Sequence, residues 1–168
     1  VAGFGRAFGM NVMIWGSERS RGRAIADNLL AAQSKEEFFS QADVISIHLQ
    51  LVEATLGIVT EADLMRMKHD ALFVNTSRAG LIEPNALAKS LRAGRPGFAA
   101  IDVFDDEPVS DALHPLVSMD NVLATPHIGY VEHDNYEHYF GTAFDNILAF
   151  LSGEPDNMLN PEALAGNG

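Results

Sequence analysis

The chain has 168 residues, 47% of them hydrophobic, with no cysteine and a formal net charge of −12 at pH 7. That length holds one core-bearing domain and is short for two, and the hydrophobic share excludes a disordered chain. The acidic balance argues against nucleic acid as a partner, no apolar run is long enough for a membrane span, and the lack of cysteine agrees with a cytoplasmic location.

The opening segment, "VAGFGRAFG", carries three glycines, but only two residues precede Gly3. A phosphate-binding glycine loop leaves a strand and opens a helix. Here Val1, Phe4, Ala7 and Phe8 fall at helical spacing, so the segment reads as the tail of a helix capped by Gly9. A strand follows at Val12–Trp15, then a polar loop from Gly16 to Gly22 and a helix around Arg23–Leu30. Ser34 and Glu37 have capping-box spacing and start a short helix running to about Gln41. Asp43–His48 is a strand, Thr60 starts another short helix, and Ala71–Asn75 is a further strand. Pro84 suits the first turn of a helix that Gly94 ends. Gly97–Val103 and Asn121–Ala124 supply two more strands.

A final helix, over about residues 133–152, places Tyr136, Phe140, Ala143, Phe144, Ile147, Leu148 and Leu151 on one wide face, and Gly153 closes it. Near-continuous apolar strands alternating with helices predict an α/β fold, a doubly wound parallel sheet covered on both faces. One domain spans residues 1–168.

In such sheets ligands bind beyond the carboxyl ends of the strands. Arg78 follows one strand, Asp102 and Glu107 the next, and His127 the last. An arginine fork can hold a carboxylate, and a histidine beside a carboxylate makes a general acid–base near neutral pH. Taken singly, Arg78 reads equally well as a surface ion-pair partner, Glu107 as a turn residue, His127 as a structural hydrogen-bonder and Asp102 as a cap. Together on one rim they suit redox at a carbon next to a carboxylate. His127, His133 and His138, with Glu132 and Glu137 among them, match no tight ligand spacing, so no metal site is expected.

The segments "AFGMNVMIW", "QADVISIHL", "MKHDALFVNTSRAGLIEPNAL", "LRAGRPGFAAIDVFDDEPV" and "HPLVSMDNVLATPHIG" resemble the D-isomer-specific 2-hydroxyacid dehydrogenases in their nucleotide-binding domain. The resemblance implies a Rossmann-like fold, a cofactor that is NAD or NADP, a small 2-keto or 2-hydroxy acid as substrate, and a homodimer for the complete protein. By it, Arg78 matches the arginine that binds the substrate carboxylate. His127 matches the acid–base, and Glu107 the carboxylate that hydrogen-bonds the histidine and favours its protonated form. Asp102 matches the residue that holds the nicotinamide carboxamide, and Leu49, Thr76, Ser77 and Gly129 line the cofactor in the family's pattern. The family also includes corepressors in which the nucleotide controls assembly, so a nucleotide-regulated binding module is the alternative reading.

Two departures stand out. Where NAD users end the second strand of the fold on an acidic residue, this chain has Gly16, followed by Ser17, Arg19, Ser20 and Arg21. That arrangement favours NADP, with Glu18 arguing the other way. The family's glycine fingerprint, the strand before it and the substrate domain are absent, so the chain alone is expected to be inactive. In the strand order 3-2-1-4-5-6, the strands Val12–Trp15 and Leu72–Asn75 are then expected to flank an empty slot.

Overall fold

The computed structural model describes residues 1–111 and 114–165. They divide into two units, Val1–His127 and a second beginning at Ile128.

Local chemistry sets most of the element boundaries. Helix α1 (Ala2–Ala7) ends at Phe8, and Gly9 takes the left-handed φ of +79° that closes it, so the first glycines are a helix tail as expected. Strand β1 (Met13–Ile14) runs into α2 (Glu18–Ala26), whose N-cap Ser17 accepts a hydrogen bond from the Ser20 amide at 3.2 Å. Strand β2 (Leu30–Ala31) pairs in parallel with β1. This corrects the sequence reading, which continued the preceding helix to Leu30. Asn28, at φ 55°, breaks that helix and turns the chain back into the sheet.

Helix α3 (Lys35–Gln41) starts where Ser34 accepts from the Glu37 amide at 3.1 Å. Strand β3 (Val44–Ile47) leads to α4 (Glu61–Leu64), capped reciprocally by Thr60 and Asp63. The buried Asp63 carboxylate also holds Lys35 Nζ at 2.5 Å, which clips α3 to α4. After β4 (Leu72–Asn75), helix α5 (Ala86–Arg92) begins two residues past Pro84, because the N-cap Asn85 adopts a left-handed φ of 63°. Strands β5 (Phe98–Ile101) and β6 (Val122–Ala124) complete the first unit. In the second unit lie α6 (His133–Leu151) and α7 (Glu162–Ala165).

The strands form two parallel sheets, β1-β2 and β3-β4-β5-β6. In the larger one, Ile45, Phe73 and Ala99 stand in register, as do Ile47, Asn75 and Ile101. All six are buried, under a cluster that includes Phe39, Leu64, Leu87 and Leu91 from α3, α4 and α5. The alternate residues face the other way. Val44, Phe98 and Leu123 are 42%, 54% and 67% exposed there, so within this unit the core covers one face of the sheet rather than two.

The expected slot is corrected as well. Strand β4 is paired on both sides, and the sheet ends on β3. Overlooking β2 shifted the strand count by one and moved the open edge from Val44–Ile47 to Leu72–Asn75. On the opposite end of these strands the packing is tight: a Cβ on Gly97 would lie 2.0 Å from the His69 carbonyl oxygen.

Candidate active site

Strands β4, β5 and β6 run parallel and in register, so the segments leaving their carboxyl ends share one rim. At the end of β4, the 1%-exposed Asn75 shapes the loop. Its Oδ1 accepts from the Ser77 amide at 3.0 Å, and its Nδ2 donates to the Arg78 carbonyl at 2.9 Å. Arg78 is thereby presented to solvent. Its Nη1 donates to the Ser77 carbonyl at 2.6 Å, and among the described residues its guanidinium forms no ion pair.

At the end of β5, Asp102 is buried and its amide donates to the Asn75 carbonyl at 3.0 Å. Its carboxylate accepts from Thr125 Oγ1, which ties β5 to the segment after β6. Two residues beyond Thr125, His127 sits at φ 55°, a backbone region uncommon outside glycine and often found at functional sites. That conformation brings its Nδ1 within 2.7 Å of Glu107 Oε2. The Phe104 amide donates to the other oxygen, Oε1, at 2.9 Å. This amide, and next the hydrogen bond with His127, hold the Glu107 carboxyl below its usual range; desolvation opposes them, and the charges of His127 and Arg78 add smaller lowering effects. The carboxylate is therefore ionised at neutral pH. Nδ1 carries the proton between the two residues, and Nε2 is left to act elsewhere.

Beside this pair lies a cavity of about 630 Å³. Phe104, Pro108, Val109, Val117, Ala124 and Pro126 form its apolar wall, and Glu107 and His127 form one side.

The other residues singled out in the sequence divide by place. Thr76 is exposed on the rim between Asn75 and Ser77. Ser77 Oγ donates to the Leu49 carbonyl at 2.6 Å, joining the ends of β3 and β4. Gly16 and Ser17 lie at the end of β1, where Ser17 caps α2. Arg19 is exposed, whereas Arg21 stacks over the Trp15 ring at 4.8 Å and has its Nε buried without a partner. Gly129 belongs to the second unit. No group of three metal-ligating side chains occurs among the described residues.

Sequence reasoning missed Asn75 and Thr125, which hold Arg78 and Asp102 in place. The signal was present for Asn75: a lone amide at a buried, alternate position of an otherwise apolar strand needs partners.

Residues 1–129 match the family model for the D-isomer specific 2-hydroxyacid dehydrogenase, NAD binding domain. The chain is 37% identical over 166 residues to a glyoxylate reductase of Aeropyrum pernix, covering 98% of this chain and 49% of that protein. A crystal structure from Ralstonia solanacearum, provisionally named a D-3-phosphoglycerate dehydrogenase oxidoreductase, superposes with a TM-score of 0.92 at 57% identity, over 98% of this chain and 48% of that one. A D-lactate dehydrogenase from Aquifex aeolicus complexed with NAD and lactic acid gives 0.70 at 25% identity, over 92% and 50%. The chain spans about half the length of the curated relatives it matches. The matched segment, residues 1–129, contains Arg78, Glu107 and His127, and the chain belongs to the D-isomer specific 2-hydroxyacid dehydrogenase family, in its NAD-binding domain.

Proposed function

We propose that this chain supplies the acid–base and nicotinamide side of an NAD(P)-dependent oxidoreductase that interconverts a small 2-keto acid and its 2-hydroxy acid. The observation that carries this reading is the 2.7 Å contact between His127 Nδ1 and Glu107 Oε2, with the Arg78 charge acting on the same carboxylate. With Nδ1 held by Glu107, His127 Nε2 gives a proton to the keto oxygen during reduction and takes it back during oxidation. Arg78, without a carboxylate partner among the described residues, receives the substrate carboxylate in a two-pronged hydrogen bond and so orients the carbonyl. Asn75 and Thr125 keep these groups at their stations.

The rim also fits a dinucleotide. Thr76 and Ser77 with the Leu49 carbonyl stand at adjacent strand ends, and Asp102 provides a fixed acceptor for an amide. At the end of β1, Gly16 leaves room for a ribose, and Ser17 and Arg19 can meet its substituents. The buried, unpartnered Arg21 Nε beside Trp15 marks the same end as a place where an anionic group is wanted. These residues favour NADP. Bound there, the nicotinamide supplies the hydride. The family likeness supports a homodimer, and the lack of cysteine agrees with a cytoplasmic location.

The test is steady-state oxidation of NADH and NADPH against glyoxylate, hydroxypyruvate and pyruvate, with this chain completed to the full length of its relatives. Turnover with at least one keto acid is expected. None with any of them, in a folded protein, overturns the reading.

A further inference from the structure

Phe104 stands between two cavities. It lines the one beside His127 and also a smaller one, of about 130 Å³, whose other walls include Ile82, Leu87, Val103 and Leu116. A ring with space on two sides is held by few contacts, so those that it keeps carry weight. One of them is with His114: the two rings meet edge to face, their centroids 5.4 Å apart at 87°. His114 is itself fixed. Its Nδ1 accepts from the Leu116 amide at 3.3 Å, and its carbonyl from the Val117 and Ser118 amides at 3.0 Å. The backbone of Phe104 is in turn an anchor of the acid–base pair. Its amide donates to Glu107 Oε1 at 2.9 Å, and Glu107 Oε2 meets His127 Nδ1 at 2.7 Å.

We infer that His114 is a positioning residue of the acid–base pair: its ring holds Phe104, the Phe104 amide holds Glu107, and Glu107 aims His127. On the dehydrogenase reading, on which this role rests, the aimed histidine moves the proton. The Phe104 amide is also the strongest of the effects that hold the Glu107 carboxyl below its usual range. A displaced Phe104 therefore weakens the partner of His127 as well as moving it. Arg78 is held separately, through Asn75. His114 lines the smaller cavity and not the one beside His127, so its loss acts on proton transfer and spares the grip on the substrate carboxylate.

The experiment uses the chain completed to its relatives' length, with a keto acid that it reduces. Two substitutions separate the two contacts of the His114 side chain. His114→Asn keeps an acceptor for the Leu116 amide and removes the ring. His114→Phe keeps a ring against Phe104 and removes the acceptor. The expected result for His114→Asn is a kcat roughly three- to tenfold lower at an unchanged KM, the size of one lost edge-to-face contact. His114→Phe stays within about twofold of wild type. In a Phe104→Leu background there is no ring to hold, and His114→Asn costs nothing further. NMR of the protein without cofactor or substrate reads the same link. The Nδ1 proton of His127, held downfield by the carboxylate, shifts upfield and exchanges faster in His114→Asn but not in His114→Phe. A wild-type kcat in His114→Asn, with that proton unmoved, overturns the inference and leaves the dehydrogenase reading standing. An effect of His114→Phe as large as that of His114→Asn also overturns it, because His114 then serves the turn at Leu116 alone. Should both variants fold poorly, Phe104→Leu decides: the inference falls if kcat and the His127 proton stay as in wild type. Absence of reduction with every keto acid removes the dehydrogenase reading, while the proton resonance still tells whether His114 holds the pair.

Discussion

Both oxygens of Glu107 are occupied, Oε2 by His127 Nδ1 at 2.7 Å and Oε1 by the Phe104 amide at 2.9 Å. The carboxylate is thus locked to its own loop and to the histidine at once. Its folded-state pKa is depressed from 4.5, so the interaction is fully present above that pH and is lost only as pH falls through the lower folded value. Across the neutral range His127 always faces an anion. Glu107→Gln keeps the shape and removes the charge, so protonated His127 loses its attraction. The pH above which reduction falls off is expected to move downward, while His127→Ala lowers kcat by at least about 100-fold at all pH values. An unchanged pH–rate profile in the glutamine variant would falsify the pairing's role.

Arg78 owes its exposure to a loop held by the buried Asn75 amide. Arg78→Lys keeps the charge but cannot reproduce the parallel pair of hydrogen bonds. The expectation is a higher KM for the keto acid together with a lower kcat, since orientation and binding are lost together. Asn75→Ala shifts both constants in the same direction without removing any group that touches substrate, because the loop loses two hydrogen bonds at once. Wild-type kinetics in Arg78→Lys would assign Arg78 to the surface alone.

Cofactor choice is tested at Arg19, which is exposed, whereas Arg21 also stacks over Trp15. Titration with the two reduced cofactors is expected to show tighter binding of NADPH, and Arg19→Ala to remove most of the difference. Loss of one charge-assisted contact to a phosphate corresponds to roughly tenfold in affinity or more. Equal or tighter binding of NADH points to Glu18, at the start of α2, as the ribose ligand.

Element types and the rim were legible in the sequence, because they rest on short-range signals. Ser34 and Thr60 announce their helices by capping, and Arg78, Glu107 and His127 sit just past apolar strands. What was hidden depends on contacts distant in sequence. Leu30–Ala31 is too short to show a period of its own and borrows its strand character from pairing with Met13–Ile14. Asn75 and Thr125 look incidental until Arg78 and Asp102 are placed against them. The apolar face of α6 was read correctly as a stripe, yet no residue of α6 is buried; a periodic pattern shows which side seeks cover without naming the cover.

Gly97 illustrates a constraint of the long-range kind. Its absent side chain lets the segment before β5 approach the His69 carbonyl, and its own carbonyl accepts from Asn121 Nδ2 at 2.8 Å. A Cβ there would meet backbone at 2.0 Å, and backbone has little freedom to yield. Gly97→Ala is expected to cost about 3 kcal/mol or more of stability, measured as a lower midpoint in urea at an unchanged slope. A change within experimental error would mean that the loop around His69 opens freely.

Strand β3 is the edge of the four-stranded sheet, and its two sides should behave differently. The Leu72 amide donates to the Asp43 carbonyl at 2.9 Å. Partners alternate along a parallel ladder, so the amides of Ile45 and Ile47 face β4 whereas those of Val44 and Ser46 face outward. In the central strand β4, neighbours on both sides engage the amides throughout. Native-state hydrogen exchange is therefore expected to be fast at Val44 and Ser46 and slow at Ile45, Ile47, Phe73 and Val74. Such an edge also templates pairing with any extended apolar segment, so the chain should self-associate as its concentration rises, with protection appearing at Val44 and Ser46 in step. If these two amides are protected as strongly as Ile45 in dilute solution, another strand already covers the edge, and the sheet does not end at β3.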